Sequence, residues 1–264
     1  MASLEENIKQ AIADFDAIEQ AITDCGVDVP YGTDTKEYGS LIKKACKNRR
    51  GYADTSKITD WTQFFLNRKR LEILMDCDFR SATNCQQICA RCDELTELPV
   101  FNTAKAILMT GAFQGCSNVT SKIFVDFSSV KTATSAFNGC EKTPEINLVS
   151  TAQAETLTSL FSGCKALKKV TGLDFSSCRN YTSVFNNTNA LEDCVITGTL
   201  KIKDSNFKCS ASDNLTVETM MSVINAFEDN TGGTTYTVTF GATNVAKLTD
   251  AQKQIATNKN ITLA

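Results

Sequence analysis

A phenylalanine, or a residue standing in for one, returns at every twenty-fourth position: Phe65, Cys89, Phe113, Phe137, Phe161 and Phe185, with Cys209 at the next step. A period of that length marks small units that cannot bury an apolar side alone and must stack on their neighbours, so the chain is confined to repeat architectures. Other columns keep step. Three positions on lie Cys92, Cys116, Cys140 and Cys164, with Arg68 and Thr188 at the ends of the column. Three further come Leu71, Leu95, Val119, Thr143, Leu167 and Leu191, and then Leu74, Leu98, Lys122, Ile146, Val170 and Cys194. Four before the phenylalanine column stand Trp61, Cys85, Met109, Ala133, Leu157 and Tyr181. The columns are predominantly apolar, although Lys122 and Thr143 break the pattern within them and Arg68 and Thr188 at the ends of one, which predicts a common buried interior and a right-handed solenoid of parallel β-rungs, about six to seven in number.

The stretch CQQICARC, Cys85 to Cys92, has the C-x3-C-x2-C spacing with which radical enzymes hold an iron-sulfur cluster. The period supplies another account. Cys85 shares a column with Trp, Met, Leu and Tyr, Cys89 replaces a phenylalanine, and Cys92 belongs to a run of cysteines one repeat apart. Each is then a small buried hydrophobe. Arg91 also stands where the radical-enzyme motif usually carries an aromatic. The ladder Cys92, Cys116, Cys140, Cys164 would place thiols about 4.8 Å apart in stacked strands, close enough for a disulfide by distance alone. Parallel side chains in a ladder point alongside one another, and a reducing cytosol opposes bridging, so reduced packing thiols are expected. A straight column cannot converge on a tetrahedral zinc.

Two polar columns accompany the apolar ones. Thr62, Thr110, Thr134, Thr158 and Thr182 suit stacked strands, where β-branched hydroxyl side chains pair well. Asp78, Asn102, Asp126, Ser150 and Asp174 begin or precede turns such as DFSS, and turn-making is their expected role; a Ca2+ ladder is the sharper alternative, but no glycine-rich loops separate the acids.

Composition narrows function. The 27 basic and 30 acidic residues give a net charge of −3, with no basic excess to neutralise nucleic-acid phosphates. Twelve cysteines accompany no histidine, which excludes mixed Cys/His zinc sites, histidine-based general catalysis and a Ser-His-Asp triad. No motif pairs a nucleophile with a base. No catalytic residue, metal or cofactor is therefore expected, and the chain is read as not an enzyme. The opening MASLEENIKQAIADFDAIEQ carries acids where a secretory leader would carry Lys or Arg before an apolar run, and no stretch is apolar enough to span a bilayer, so folding in a cytosol is expected.

Four regions follow: a helical attachment or oligomerisation head at 1–50, a connector at 51–60, the repeats at 61–215 and an α/β capping segment at 216–264. In the head, Leu4, Ile8, Ala11, Phe15, Ile18 and Ile22, followed by Cys25, form a heptad seam. It packs either on a second helix near 35–48 or on another copy, the latter being preferred. In the cap, NLTVETMMSVINAFED places Val217, Met220, Met221, Ile224 and Phe227 on one helical face, with Thr216 as N-cap and Glu218 in the first turn. TYTVTFGATNVAKL reads as a strand, 250–258 as a helix and ITLA as a last strand.

The unit FSGCKALKKVTGLDFSSCRNYTSVF, with its F-x-x-C-x-x-L opening and D-x-S turn, resembles the BspA-like leucine-rich repeats, most clearly at FQGC, FNGC and FSGC. The flanks LEENIKQAIADFDAIEQAITDCGVDVPYGTDTKEYGSLI and TVTFGATNVAKLTDAQKQIATNKNITLA look like those of repeat-containing tail or fibre proteins of phages and prophages of gut bacteria. The resemblance implies a virion protein assembled in the host cytoplasm. Its head would dock on other virion proteins, and its repeats would meet a host cell-surface protein or glycan, as tail fibre or receptor-binding component and as a homo-oligomer. It implies neither nucleic-acid binding nor membrane insertion. A capsid fibre, decoration or tail-sleeve protein with a purely structural role is the alternative, and a bacterial surface adhesin a more distant one.

Overall fold

The computed structural model describes residues 57–67, 77–98, 100–200 and 206–264. The chain divides into two compact units. Of the first, Met1–Ile58 with Met75–Phe79, only 57–58 and 77–79 are described; the second, Thr59–Leu74 with Arg80–Ala264, holds the rest. The helical head and the seam Leu4, Ile8, Ala11, Phe15, Ile18 and Ile22 lie outside the described residues, as do Arg68, Leu71 and Leu74.

Within the second unit the period is a hydrogen-bonding register. Parallel bridges join Asp60 to Asn84, Asn84 to Leu108, Leu108 to Thr132, Thr132 to Thr156 and Thr156 to Asn180. Beside each bridge the backbone alternates between two duties. In 109–115 the N–H groups of Met109, Gly111, Phe113 and Gly115 donate to Thr132, Thr134, Ala136 and Asn138 of the next repeat at 2.7–2.9 Å, while Ala112 and Gln114 donate back three positions within their own. Such alternation requires left-handed backbone at two set places per repeat. They are Gln63, Gln87, Gly111, Ser135, Ser159 and Ser183, and then Asn67, Arg91, Gly115, Gly139, Gly163 and Asn187.

The opposite side of each repeat supplies short strands: β1 Ile123–Val125, β2 Glu145–Leu148, β3 Lys169–Thr171, β4 Leu173–Asp174 and β5 Ile196–Thr197. All pair in parallel, β1-β2-β3 in one sheet and β4-β5 in another. In β1, Ile123 and Val125 point inward and Phe124 outward, the alternation expected of a half-buried strand. Between the bridges and the strands runs an aromatic ladder. Phe113, Phe137, Phe161 and Phe185 stack with centroids 5.4, 5.8 and 5.6 Å apart and planes within 16° of parallel. All four are buried, each worth roughly 1.5–3 kcal/mol in area removed from water.

The two residues that break the apolar columns resolve differently. Thr143 is fully buried and its hydroxyl donates to the carbonyl of Val119 at 3.1 Å, so the polar atom is satisfied. Lys122 is not in the interior. Ile123 pairs with Ile146, one position short of the full period, and takes the buried place. Lys122 then lies outside, 2.6 Å from the Glu145 carboxylate. The slip is recovered before the next bridge, since Thr132 again pairs with Thr156.

Beyond the regular repeats come β6 Asn206–Lys208 and then α1 Val217–Ala226, which lies against β5. Two hydroxyls of α1 take open backbone donors there: the N–H of Cys194 donates to Thr219 Oγ1 at 2.8 Å and that of Ile196 to Ser222 Oγ at 3.0 Å. Thr216 caps the helix by accepting from the N–H of Thr219, as the sequence predicts. The buried face is Thr219, Met220, Val223, Ile224 and Ala226; Val217 and Met221 are only half-buried, so the face is turned from the expected one. The segment read as one long strand divides at Gly241 into β7 Tyr236–Thr239 and the short α2 Ala242–Val245. After α3 Asp250–Asn258, β8 Ile261–Leu263 completes a parallel sheet in the order β6-β7-β8. Asn244, fully buried in α2, accepts from the N–H of Leu215 and donates to the carbonyls of Ser212 and Phe240.

Two glycines with left-handed backbone test the register from opposite sides. A side chain on Gly172 would be driven into the backbone carbonyl of Leu148, whereas one on Gly163 meets only ordinary contacts at 3.6 Å, in a column that Asn187 already occupies. Gly172→Ala is expected to cost roughly 3 kcal/mol and Gly163→Asn less than about 1 kcal/mol, compared by urea denaturation. Asn244→Ala, which strands three buried backbone partners, is expected to cost on the order of 3 kcal/mol in the same assay.

Candidate functional site

Chemistry-bearing side chains occur in two places, a column of thiols inside and rows of charged and polar groups outside. Inside, Cys92, Cys116, Cys140 and Cys164 are buried, and each thiol donates to a carbonyl of the preceding repeat: Phe65 at 3.0 Å, Cys89 at 3.1 Å, Phe113 at 3.3 Å and Phe137 at 3.0 Å. Such a carbonyl already accepts an N–H from three positions on, as Phe113 does from Cys116. The thiol fills the second lone pair while taking little room between stacked neighbours. At the end of the column Thr188 bonds instead within its own repeat, to Phe185 at 2.7 Å.

The described cysteines are free thiols. Burial opposes ionisation of several of them. It pushes Cys85 up to about 12, with Asp60 nearby adding to the effect, Cys178 to about 11 and Cys209 to about 12. Burial and then the neighbouring Cys92 raise Cys116; Cys140 is raised foremost by its hydrogen bond to the Cys164 thiol and then by burial. A protonated, enclosed thiol is a poor nucleophile and a poor metal ligand. Cys85, Cys89 and Cys92 are all buried in separate columns, and Cys92 is committed to the Phe65 carbonyl. Among the described residues no group of three Cys, Asp, Glu or His side chains is placed to hold a metal ion.

The turn residues act on their own backbone. Asp126 Oδ1 accepts from the N–H and hydroxyl of Ser128 at 2.9 and 2.6 Å, and Asp174 Oδ1 does the same for Ser176. Ser150 accepts from the N–H of Ala152. A second turn column, Asp60, Asn84 and Asn180, bonds the N–H two positions on in the same way and escapes sequence reading because Leu108, Thr132 and Thr156 interrupt it.

Outside, side chains one register apart meet in rows. Lys165 pairs with Glu141 at 2.9 Å, Lys168 with Glu192 at 3.3 Å and Lys169 with Asp193 at 2.6 Å. Lys142 donates to Asn118, Gln63 to Gln87 and Thr171 to Asn147 at 2.7–2.8 Å. Phe124, Val100 and Val149 are exposed among them. Sequence reasoning named none of these rows, although the recurrence of Lys and acid one period apart was a usable signal.

A chain whose successive repeats pair in parallel, bridge after bridge, around buried thiols is a stacked-repeat protein. Residues 42–144 and 83–197, overlapping stretches that together cover more than half of the chain, match the family described as "Mycoplasma protein of unknown function, DUF285". The protein belongs to this family of BspA-like repeat proteins. No curated protein and no solved structure matches it. No helix among the described residues is long and apolar enough to cross a membrane.

Two outcomes follow for the thiols. Iodoacetamide at pH 8 should leave Cys92, Cys116, Cys140 and Cys164 unmodified in the native protein and alkylate them in urea, read by peptide mass. Burial raises Cys85 and Cys209 from 9.0 to about 12, so between those values the native state holds protons that the unfolded chain releases. Their contribution to stability should be complete below pH 9 and decline as pH climbs towards 12, measured by denaturation midpoints across that range.

Proposed function

We propose that the protein is a non-enzymatic component of a phage virion, a tail fibre or receptor-binding component that presents its repeat surface to a host cell-surface protein or glycan. In this reading the chain is a 24-residue parallel β-solenoid of the BspA-like leucine-rich-repeat type. An N-terminal head attaches it to other virion proteins as a homo-oligomer, and an α/β segment caps the other end. The observation that carries the reading is the distribution of side chains. The thiols of the Cys92, Cys116, Cys140 and Cys164 column are enclosed, while the outward rows repeat along the stack, which suits an extended partner better than a small substrate in a pocket. Membership of a BspA-like repeat family and the resemblance of both flanks to phage tail and fibre proteins support it. Assembly into particles in the host cytoplasm fits the same reading.

The test is binding of the purified full chain, fluorescently labelled, to a panel of gut bacteria. Saturable binding that unlabelled protein displaces is the expected result. Its absence across the panel, together with antibody labelling of particles on the capsid or along the tail, would overturn the receptor-binding role in favour of a fibre, decoration or tail-sleeve protein.

A further inference from the structure

The outward face of β1, β2, β3 and the segment after them carries two adjacent rows. The first reads Lys122, Glu145, Lys169, Asp193: Glu145 and Lys169 are register partners, Lys169 bridges to Asp193, and the Lys122 and Glu145 side chains meet at 2.6 Å. Charge alternates in sign along it. The second row, two positions along β1, β2 and β3, reads Phe124, Asn147 and Thr171, and Val195 continues it opposite the bend at Thr171 and Gly172, where the register shortens by one between the Lys169–Asp193 and Leu173–Ile196 pairs. Phe124 pairs with Asn147 and Asn147 with Thr171, and Val195 lies half-buried between the buried Cys194 and Ile196. It is apolar at both ends and polar in the middle, where Thr171 donates to Asn147 at 2.8 Å. Phe124 is 46% exposed, and Val100 and Val149 beside it are exposed further.

Both rows have the same centre, between β2 and β3. A second copy laid face to face and rotated about a two-fold axis parallel to the strands through that centre brings the rows onto themselves in reverse order. Lys122 then meets Asp193 of the second copy, and Glu145 meets Lys169. Phe124 meets Val195, and Asn147 meets Thr171. Every lysine faces an acid and every apolar side chain an apolar one, whereas the same face in parallel order sets lysine on lysine. Self-matching under a dyad is what an isologous interface requires, and complementary charge with an apolar contact selects one partner and one register. We propose that this face pairs with the same face of a second copy of the chain, the two stacks running in opposite directions, with Phe124 covered by Val195. The face is narrow, so the association is reversible and concentration-dependent. It is independent of what the repeats bind and of any association through the N-terminal segment.

The test reads mass against concentration for the full chain by analytical ultracentrifugation, in wild type, Lys169→Glu, Glu145→Lys and an equimolar mixture of the two variants. Each variant alone sets like charges opposite each other, and its pairing should weaken by at least about tenfold. The mixture restores opposite charges at all four contacts and should recover the wild-type association. Phe124→Ser, which alters no charge, should weaken it too. Far-UV circular dichroism and melting confirm folding of every variant. Lys122 and Asp193 stand three repeats apart in one chain, roughly 14 Å, beyond a zero-length link. Carbodiimide treatment of mixed isotope-labelled and unlabelled protein should therefore give a Lys122–Asp193 crosslink that joins labelled to unlabelled chains. Variants that associate as tightly as wild type, a mixture no better than its components, or wild type without concentration-dependent mass and without that crosslink would each overturn the pairing.

Discussion

Backbone hydrogen bonds between equivalent segments of successive repeats hold everything else in place. Met109, Gly111, Phe113 and Gly115 give their N–H groups to the following repeat, and the pattern recurs with Ala133, Ser135, Phe137 and Gly139. Once every second donor is committed to the neighbour, side-chain columns are aligned by geometry alone. Phenylalanines stack on phenylalanines, thiols on thiols and outward lysines on acids. Single contacts here are modest, since exposed ion pairs contribute little, and the shared register makes them collective.

The thiols illustrate how that register selects residue type. A position one repeat from its own equivalent admits a side chain of limited width, and the carbonyl it faces has one lone pair free. Cysteine meets both demands, as a small hydrophobe with a weak donor. The same enclosure suppresses thiolate formation, so the feature of the sequence that most suggests cofactor chemistry is explained by packing. On the outside the repeat converts a short sequence unit into extended rows.

At the far end a different device closes the stack. A parallel strand with no successor leaves N–H groups without partners, a cost that a buried edge cannot sustain. α1 answers this with Thr219 and Ser222, hydroxyls on a helix face that take the N–H groups of Cys194 and Ile196. Lys259 in turn donates to the carbonyls of Asn225 and Phe227 at the end of α1, tying α3 to the same closure.

The period, most members of the interior columns among the described residues, the turn role of Asp126 and Asp174, the Thr216 cap and the helix at 250–258 were legible along the chain, because each rests on local chemistry or on spacing. Where the count slips was not. Lys122 is outside and Ile123 inside because one extra residue precedes β1, and an insertion shows only when the partner strand is in view. The turn of the α1 face towards Val223 likewise follows from what it covers, and the division of β7 from α2 at Gly241 from how the last sheet is joined. The outward rows belong to the same class: Lys122, Glu145, Lys169 and Asp193 are distant from one another in sequence, and become one surface only when the folded register brings successive repeats within reach of each other.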